Sequence, residues 1–312
     1  MDSKLIIISG PTASGKSRLA QEVYDHFRDF SIVNADSMQV YKDLPILTAH
    51  PSDLNTNPSN YNLYSILSYD QSFSVSSWVK IAEDKIKGLW ASGKIPLIVG
   101  GTGLYIKTLL YGLSNLPDIS PEVRSQVNNL FVEIGTEKFY KLLQSKDSVS
   151  SARIHNNDSY RMTRAMEVFE QTGKSITSFY KLRSGHKSNL YNYLHINISP
   201  LRQVLYESCN KRFLEMIAGG VLDEVSALRI KPNSATSLLT KALGYSSLGA
   251  YLDKKISLEE AIDKGQVQTR QYAKRQVTWF KNQAPEATIL EFESYSEINN
   301  KTLYLIKQFL GR

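Results

Sequence analysis

Apolar residues recur along the chain with two different periods. Short runs rich in aliphatic and β-branched residues occur at 5–8, 31–34, 95–99, 194–198 and 288–290. Runs of this length and composition are the pattern of strands buried on both faces of a parallel sheet. Between most of them, apolar positions repeat at helical spacing. The alternation predicts an α/β fold, a doubly wound parallel sheet with ligands at the carboxyl ends of the strands. The spacing is uneven. About eighty residues between Gly112 and Tyr193 have helical texture and no strand-like run, far more than an ordinary crossover needs. The expectation is a core at 1–114 and 193–312, interrupted by an all-helical insertion domain at 115–192. A second helical stretch, 201–283, carries Phe213, Met216, Ile217, Leu222 and Val225 as a core-facing stripe.

The first apolar run leads into Gly10, Pro11, Thr12, Ala13, Ser14, Gly15, Lys16 and Ser17. This is the full strand–GxxxxGK[ST]–helix pattern of a phosphate-binding P-loop. The glycines allow a tight turn whose N–H groups point inward, and the helix starting near Lys16 adds the positive end of its dipole. Lys16 supplies a point charge, and the Ser17 hydroxyl can ligate Mg²⁺. The loop alone does not separate an ATPase from a kinase, or from an enzyme acting on another diphosphate.

The strand ends bear on that choice. An ATPase of this class usually places an acid after a buried strand to help hold Mg²⁺. The run at 95–99 is followed by Gly100, Gly101 and Thr102, with no acid. The run at 31–34 is followed by Asp36, beside Ser37, Met38 and Gln39. A carboxylate there can ligate the metal through water or accept a proton from a nucleophile. It can equally be a turn or N-cap residue.

Composition and charge add a partner class. The chain has 312 residues, 42% hydrophobic and 21% charged, ordinary for a globular protein. A net charge of +7 leans toward a polyanionic partner. Asp158 is placed to cap a helix ending at Gly173, with Met162, Ala165, Met166 and Phe169 on one face and Arg161 and Arg164 on the other. The segment 264–283 holds five Lys or Arg and no acid, with Arg270, Lys274 and Arg275 interleaved by Tyr272, Trp279 and Phe280. Basic side chains among aromatics fit phosphate contacts with base stacking, or a solvated helix whose aromatics belong to the core. The single Cys209 suits a reducing cytosol. No apolar run approaches the ~18 residues of a membrane span. Only four residues precede the first apolar run, leaving no room for a targeting segment. A cytoplasmic protein is expected. No Cys/His cluster with zinc spacing occurs.

Taken in order, "GPTASGKS", "NADSMQVYKDL", "VGGTGLYIKTLLYGL", "NNDSYRMTRAMEVFEQTGKS", "KRFLEMIAGGVLDEV", "LGYSSL" and "TRQYAKRQVTWFKNQ" resemble tRNA dimethylallyltransferases over nearly the whole chain. The resemblance implies a P-loop NTPase-like core with a helical insertion, and an enzyme that uses Mg²⁺. It would transfer a dimethylallyl group from dimethylallyl diphosphate to N6 of the adenine just 3′ of the anticodon, in tRNAs reading codons that begin with U. A channel would admit the two substrates from opposite ends. The loop from Gly10 to Ser17 would then hold an isoprenoid diphosphate. Asp36 would be the general base, Thr102 would orient the target adenine, and Lys16 and Arg212 would neutralise the leaving group. The tRNA contacts implied are Asp36, Ser37, Met38, Gln39, Thr102, Arg124, Tyr160, Arg161, Met162, Thr163, Arg164, Lys241, Ala242, Leu243, Gly244, Tyr245 and Ser246. Arg270, Lys274 and Arg275 join them from the basic segment. The partner would be the anticodon stem-loop, bound by a monomer. The chain departs from the family pattern at His50 in place of a lysine, at Tyr61-Asn62, at Tyr160 and at Ser246.

Three alternatives are weighed. An adenylate isopentenyltransferase or a small-molecule P-loop phosphotransferase would need neither the insertion nor the basic segment. An NTP-switched RNA-binding protein would need a γ-phosphate sensor or a Walker-B acid, and neither is found in the sequence.

Overall fold

The structure is a computed structural model and describes residues 3–54, 58–113, 116–181 and 191–312. The first apolar run forms β1 (Lys4–Ser9), followed by α1 (Lys16–His26) and β2 (Phe30–Asn34). Next come a two-residue strand β3 (Tyr61–Asn62), α2 (Val75–Ala91), β4 (Ile95–Gly100) and α3 (Gly103–Tyr111). The helices that follow are α4 (Pro121–Lys146), kinked at Gly135 where φ is 75°, α5 (Ser148–Ser151), α6 (Ser159–Thr172) and α7 (Ile176–Lys181). The chain returns through β5 (Asn192–Pro200), α8 (Arg202–Ala218), α9 (Val221–Arg229), α10 (Tyr245–Leu252) and α11 (Leu258–Gln283). It ends with β6 (Thr288–Phe292) and α12 (Tyr295–Leu310).

The six strands form one sheet in the order β3-β2-β4-β1-β5-β6, and every pairing is parallel. The five strands expected from apolar runs are all present. The sixth, β3, has only two residues and therefore no periodicity to read. Strand β2 is buried at all five positions, and β1 and β4 at all but their first. That is why they read as continuous apolar runs. The edge strand β6 is largely exposed. On one face, Leu19 and Val23 of α1 and Ile298 and Ile306 of α12 pack against Ile6, Ile8, Ile196 and Ile198. Each fully buried aliphatic side chain of this kind contributes about 1.5–3 kcal/mol. The register sets Ser9 beside both Gly100 and Asn197, so three strand ends meet at one level.

The chain divides into two compact units, Met1–Leu110 with Lys187–Arg312, and Tyr111–His186. The first contains the sheet. In the second, the described residues form α4 to α7 around Val127, Phe139, Leu143, Met162, Ala165 and Met166. Helix α6 starts where Asp158 Oδ1 accepts the Arg161 N–H at 3.1 Å and stops at Gly173, whose φ of 68° ends the helix.

The stripe expected in 201–283 needs one correction. Phe213, Met216 and Val225 are buried, but Ile217 and Leu222 are only half-buried, and Val221 takes the inward position instead. The helix breaks at Gly219-Gly220, where Gly220 has φ 92°, so α9 restarts with a new phase.

Candidate active site

The P-loop leaves β1 at Gly10, where a Cβ would lie 2.4 Å from the Ile198 carbonyl oxygen, so glycine alone fits there. Ala13 and Gly15 both have positive φ, 62° and 87°. Such left-handed residues within a tight turn make the successive N–H groups converge as an anion-binding nest. The Ser14 hydroxyl oxygen is buried there with no hydrogen-bond partner among the described residues. Lys16 Nζ donates to the Pro11 carbonyl at 2.6 Å. Burial lowers the Lys16 pKa to about 8; the Asp36 charge raises it and the Arg212 charge lowers it further. Arg212, from α8, donates to the Thr12 hydroxyl. Behind the loop, Asn197 donates to the Ser9 hydroxyl at 2.8 Å, and Ser9 bonds the Nε2 of buried His195 at 2.8 Å.

Asp36 is presented by the end of β2. Asn34 Oδ1 accepts the Asp36 N–H at 2.8 Å, and Asp36 Oδ1 accepts the Met38 N–H at 2.9 Å. Asp36 is thus a turn residue that also faces open space. Its neighbour Ser37 is held by Thr102, whose Oγ1 accepts the Ser37 N–H at 2.9 Å and donates to Ser37 Oγ at 3.3 Å. Gly100 permits this approach, because a Cβ there would lie 2.1 Å from the Ala35 carbonyl oxygen.

Two cavities meet at these residues. One, of about 390 Å³, is lined by residues 12–18 of the P-loop and α1, with Asp36, Gln39, Tyr64 and Lys211. The other, of about 250 Å³, is lined by Ser37, Met38, Leu47, Phe213, Met216, Lys241, Leu243, Tyr272 and Arg275. Thr12, Asp36, Thr48 and Arg212 line both. The first has a polar lining with several cations, and the second pairs apolar and aromatic walls with three, Arg212, Lys241 and Arg275. Burial, and then the Asp36 charge, push the Tyr272 phenol up to about 12, so it stays protonated. Among the described residues no three His, Cys, Asp or Glu stand close enough to form a metal site from protein alone.

The remaining residues singled out from sequence fall into different settings. Gln39 is buried and gives both amide hydrogens to the carbonyls of Thr48 and Ala49, at 2.9 and 2.7 Å, so it shapes the cavity wall. Ala242 is buried, Gly244 begins α10 with φ 88°, Tyr245 is half-buried and Ser246 exposed. On α11, Arg270 donates to Asn210 at 2.5 Å, while Lys274 and Arg275 are exposed. Phe280 is core, and Trp279 packs so closely on Gly103 that a Cβ there would lie 2.1 Å from its ring. Of the aromatics in this segment, only Tyr272 lines a cavity described above.

In the second unit, Arg124 and Thr163 lie on α4 and α6, and Tyr160 is 79% exposed. Met162 corrects an expectation. Its side chain is wholly buried in that unit's core, so it cannot reach RNA. The two arginines of α6 also differ. The Arg161 side chain is 71% exposed and pairs with Asp158 at 3.3 Å; that of Arg164 is 28% exposed and pairs with Glu167 at 2.9 Å.

Two residues escaped the sequence reading. Glu224 of α9 accepts the N–H groups of Ile46 and Leu47 at 2.7 and 2.9 Å, pinning the loop that carries Leu47 and Thr48. Gln276 of α11 reaches the P-loop itself, with its Oε1 accepting the Thr12 N–H at 2.7 Å. Gln276 had a local signal: it occupies a buried stripe with Thr269, Ala273 and Phe280, where an apolar residue is usual. Glu224 had none.

The model of the IPP transferase family matches residues 39–283. A tRNA dimethylallyltransferase of Rickettsia felis is 43% identical over 94% of this chain and 95% of its own. The corresponding protein of Rickettsia prowazekii is 40% identical over 97% and 98%. The crystal structure of a tRNA isopentenylpyrophosphate transferase from Staphylococcus epidermidis superposes with a TM-score of 0.68 at 35% identity, covering 98% of this chain and 99% of that one. A eukaryotic dimethylallyltransferase acting on tRNA shares the fold, with a TM-score of 0.76 at 24% identity over 94% of this chain and 75% of its own. With its all-parallel sheet and P-loop, the chain belongs to the IPP transferase family.

Proposed function

We propose that this protein transfers the dimethylallyl group of dimethylallyl diphosphate to N6 of the adenine just 3′ of the anticodon in tRNA. The observation that carries the reading is the meeting of an anion-binding cavity and an apolar, aromatic cavity at Asp36, Thr12 and Arg212. A diphosphate in the first and a purine in the second would bring the allylic carbon and the amine together beside the carboxylate.

The diphosphate would lie in the nest of residues 10–17, where the Ser14 hydroxyl awaits an acceptor. Lys16 and Arg212 would balance its charge. As the N6–carbon bond forms, the bond from that carbon to the bridging oxygen breaks, and diphosphate leaves with the electron pair. The adenine amine is a weak nucleophile because its lone pair is delocalised into the ring. Asp36 would take its proton during attack. Thr102 would hold the base through its position beside Ser37. A base buried in such a cavity must leave its stack, as in other enzymes that modify bases.

Mg²⁺ fits the donors available. Ser17 lines the phosphate cavity as a hard oxygen ligand, and Asp36 stands across it to act through water. With so few protein ligands, diphosphate oxygens and water would complete the shell. Bound there, the ion would neutralise charge on the leaving group.

Arg161, Arg164, Tyr160, Thr163 and Arg124 of the helical unit, with Lys241, Lys274 and Arg275 of the sheet unit, would contact the anticodon stem-loop. The working form would be a monomer in the cytoplasm. No helix among the described residues is long and apolar enough to cross a membrane.

The test is incubation of the purified protein with labelled dimethylallyl diphosphate, Mg²⁺ and unmodified tRNA, with AMP as a parallel acceptor. Label should appear in tRNA as N6-(dimethylallyl)adenosine, without ATP. Transfer to AMP alone, or none to either, would overturn the reading.

A further inference from the structure

Helix α11 turns a stripe of Thr269, Ala273, Gln276 and Phe280 into the protein interior. A glutamine at such a position carries two donors and an acceptor into a dry place, and it is stable there only if they are matched. Gln276 is 6% exposed. Its Oε1 accepts the Thr12 N–H at 2.7 Å, and its Nε2 donates to the Gly101 carbonyl at 2.9 Å. One planar amide therefore spans the P-loop and the turn between β4 and α3. The fit is close: a Cβ on Gly101 would lie 2.4 Å from Nε2, so the glycine is what admits the amide.

The groups on either side of this bridge are those of the proposed chemistry. Thr12 is held from its other side by Arg212. Gly101 precedes Thr102, which fixes Ser37, the residue after Asp36. A continuous hydrogen-bonded and covalent path thus runs from the diphosphate loop through Gln276 to the turn that holds the base-side residues. The path leaves from α11, and that helix also carries Tyr272 and Arg275 into the second cavity.

We infer that Gln276 is a positioning residue that sets the diphosphate loop against the Gly101-Thr102 turn, so that leaving group, acceptor and Asp36 are held in register. The inference rests on the proposed function, but it makes a separate claim about the loop. The Thr12 N–H points to the protein interior and not to the anion. The nest keeps its shape because that donor is tied back. Without the tie, the Thr12 N–H would lose its side-chain acceptor and the Gly101 C=O would keep only the Gly103 N–H, so nothing would hold the two segments to each other at this point.

The test uses the full chain with Gln276→Met, an unbranched replacement of similar length without an amide, and Gln276→Asn, too short to span both groups. Phe280→Leu, in the same buried stripe, serves as the control for lost packing. Thermal unfolding, calorimetric binding of inorganic pyrophosphate, tRNA binding without diphosphate, and transfer kinetics are measured for each. The Gln276 variants should bind pyrophosphate about tenfold more weakly and lose kcat, while tRNA affinity stays at the parent value. Phe280→Leu should lower the melting temperature without changing pyrophosphate affinity. The inference is overturned if a folded Gln276 variant keeps both pyrophosphate affinity and kcat. It is equally overturned if pyrophosphate and tRNA binding fall together in proportion to stability, as in the control. If the parent transfers nothing to tRNA while the Gln276 variants still lose pyrophosphate, the proposed function fails and the loop-setting role stands. Should Gln276→Met not fold, Gln276→Asn decides the question.

Discussion

The diphosphate loop and helix α6 both present pairs of cations, yet they hold them in opposite ways. Lys16 and Arg212 are tied to the loop they serve, to the Pro11 carbonyl and the Thr12 hydroxyl. Burial is already lowering the hold of Lys16 on its proton. Arg161 reaches into solvent, braced by Asp158 one turn away. Enclosed charges act through a low dielectric and are fixed before the ligand arrives, so they discriminate between charge states along a reaction. Exposed charges are screened by salt and act mainly by displacing counterions from a polyanion. The first arrangement is suited to catalysis and the second to capture.

That contrast can be broken at several points. The largest effect is expected where the enclosed charges converge. Asp36→Asn should keep the turn, because an amide oxygen can still accept the Met38 N–H, and should retain tRNA affinity. Turnover should fall by roughly 10²–10⁴, the range for a lost general base. Single-turnover transfer kinetics check this, and near-parent turnover would remove Asp36 from its role.

The next effect concerns Lys16. With its pKa at about 8 in the free loop, the ammonium is charged below that value and lost above it. Affinity for dimethylallyl diphosphate should therefore fall as pH rises through about 8, and binding near that pH should take up a proton. Lys16→Met should lose roughly tenfold to a hundredfold in affinity together with the pH step. Calorimetry in buffers of different ionisation heat reads both.

The smallest effect is expected at the two arginines of α6, Arg161 exposed and Arg164 half-buried. Arg161→Ala should leave diphosphate binding unchanged, weaken tRNA binding, and flatten its salt dependence by about one unit of slope. Arg164→Ala should do the same but also lower stability, because it strands the largely buried Glu167. Filter binding across a salt series separates the two. An unchanged slope in both variants would make this face ordinary solvated surface.

The same contrast explains what could be read from sequence. The P-loop was legible because its chemistry is contiguous: glycines, lysine and serine stand in the order in which the backbone uses them. Buried strands were legible as apolar runs, and α6 was legible from its cap at Asp158 and its stop at Gly173. Motif order pointed to the family but not to which way each side chain faces. Motif order alone therefore places Met162 at the RNA, whereas the helical period of its own segment turns it into the core. Glu224 and Gln276 act across 178 and 264 residues of chain, so their partners leave no mark beside them. A glutamine within an otherwise inward-facing stripe was the one available sign.

The histidine behind the loop gives this fold an acid limit. His195 is 4% exposed on β5, and burial lowers its pKa from 6.5 to about 4. With Asn197 donating to Ser9, the Ser9 hydroxyl proton is left to point at the ring nitrogen. The folded chain thus holds a neutral imidazole where the unfolded chain would take up a proton. Linkage then subtracts stability progressively as pH falls from 6.5 towards 4 and leaves it undisturbed above that window. Because Ser9 is the last residue of β1 before Gly10, a protonated imidazole would press first on the strand end from which the phosphate nest is hung. Above about pH 4 the folded ring stays neutral, so milder acid lowers stability through proton uptake by the unfolded chain and leaves this strand end uncharged.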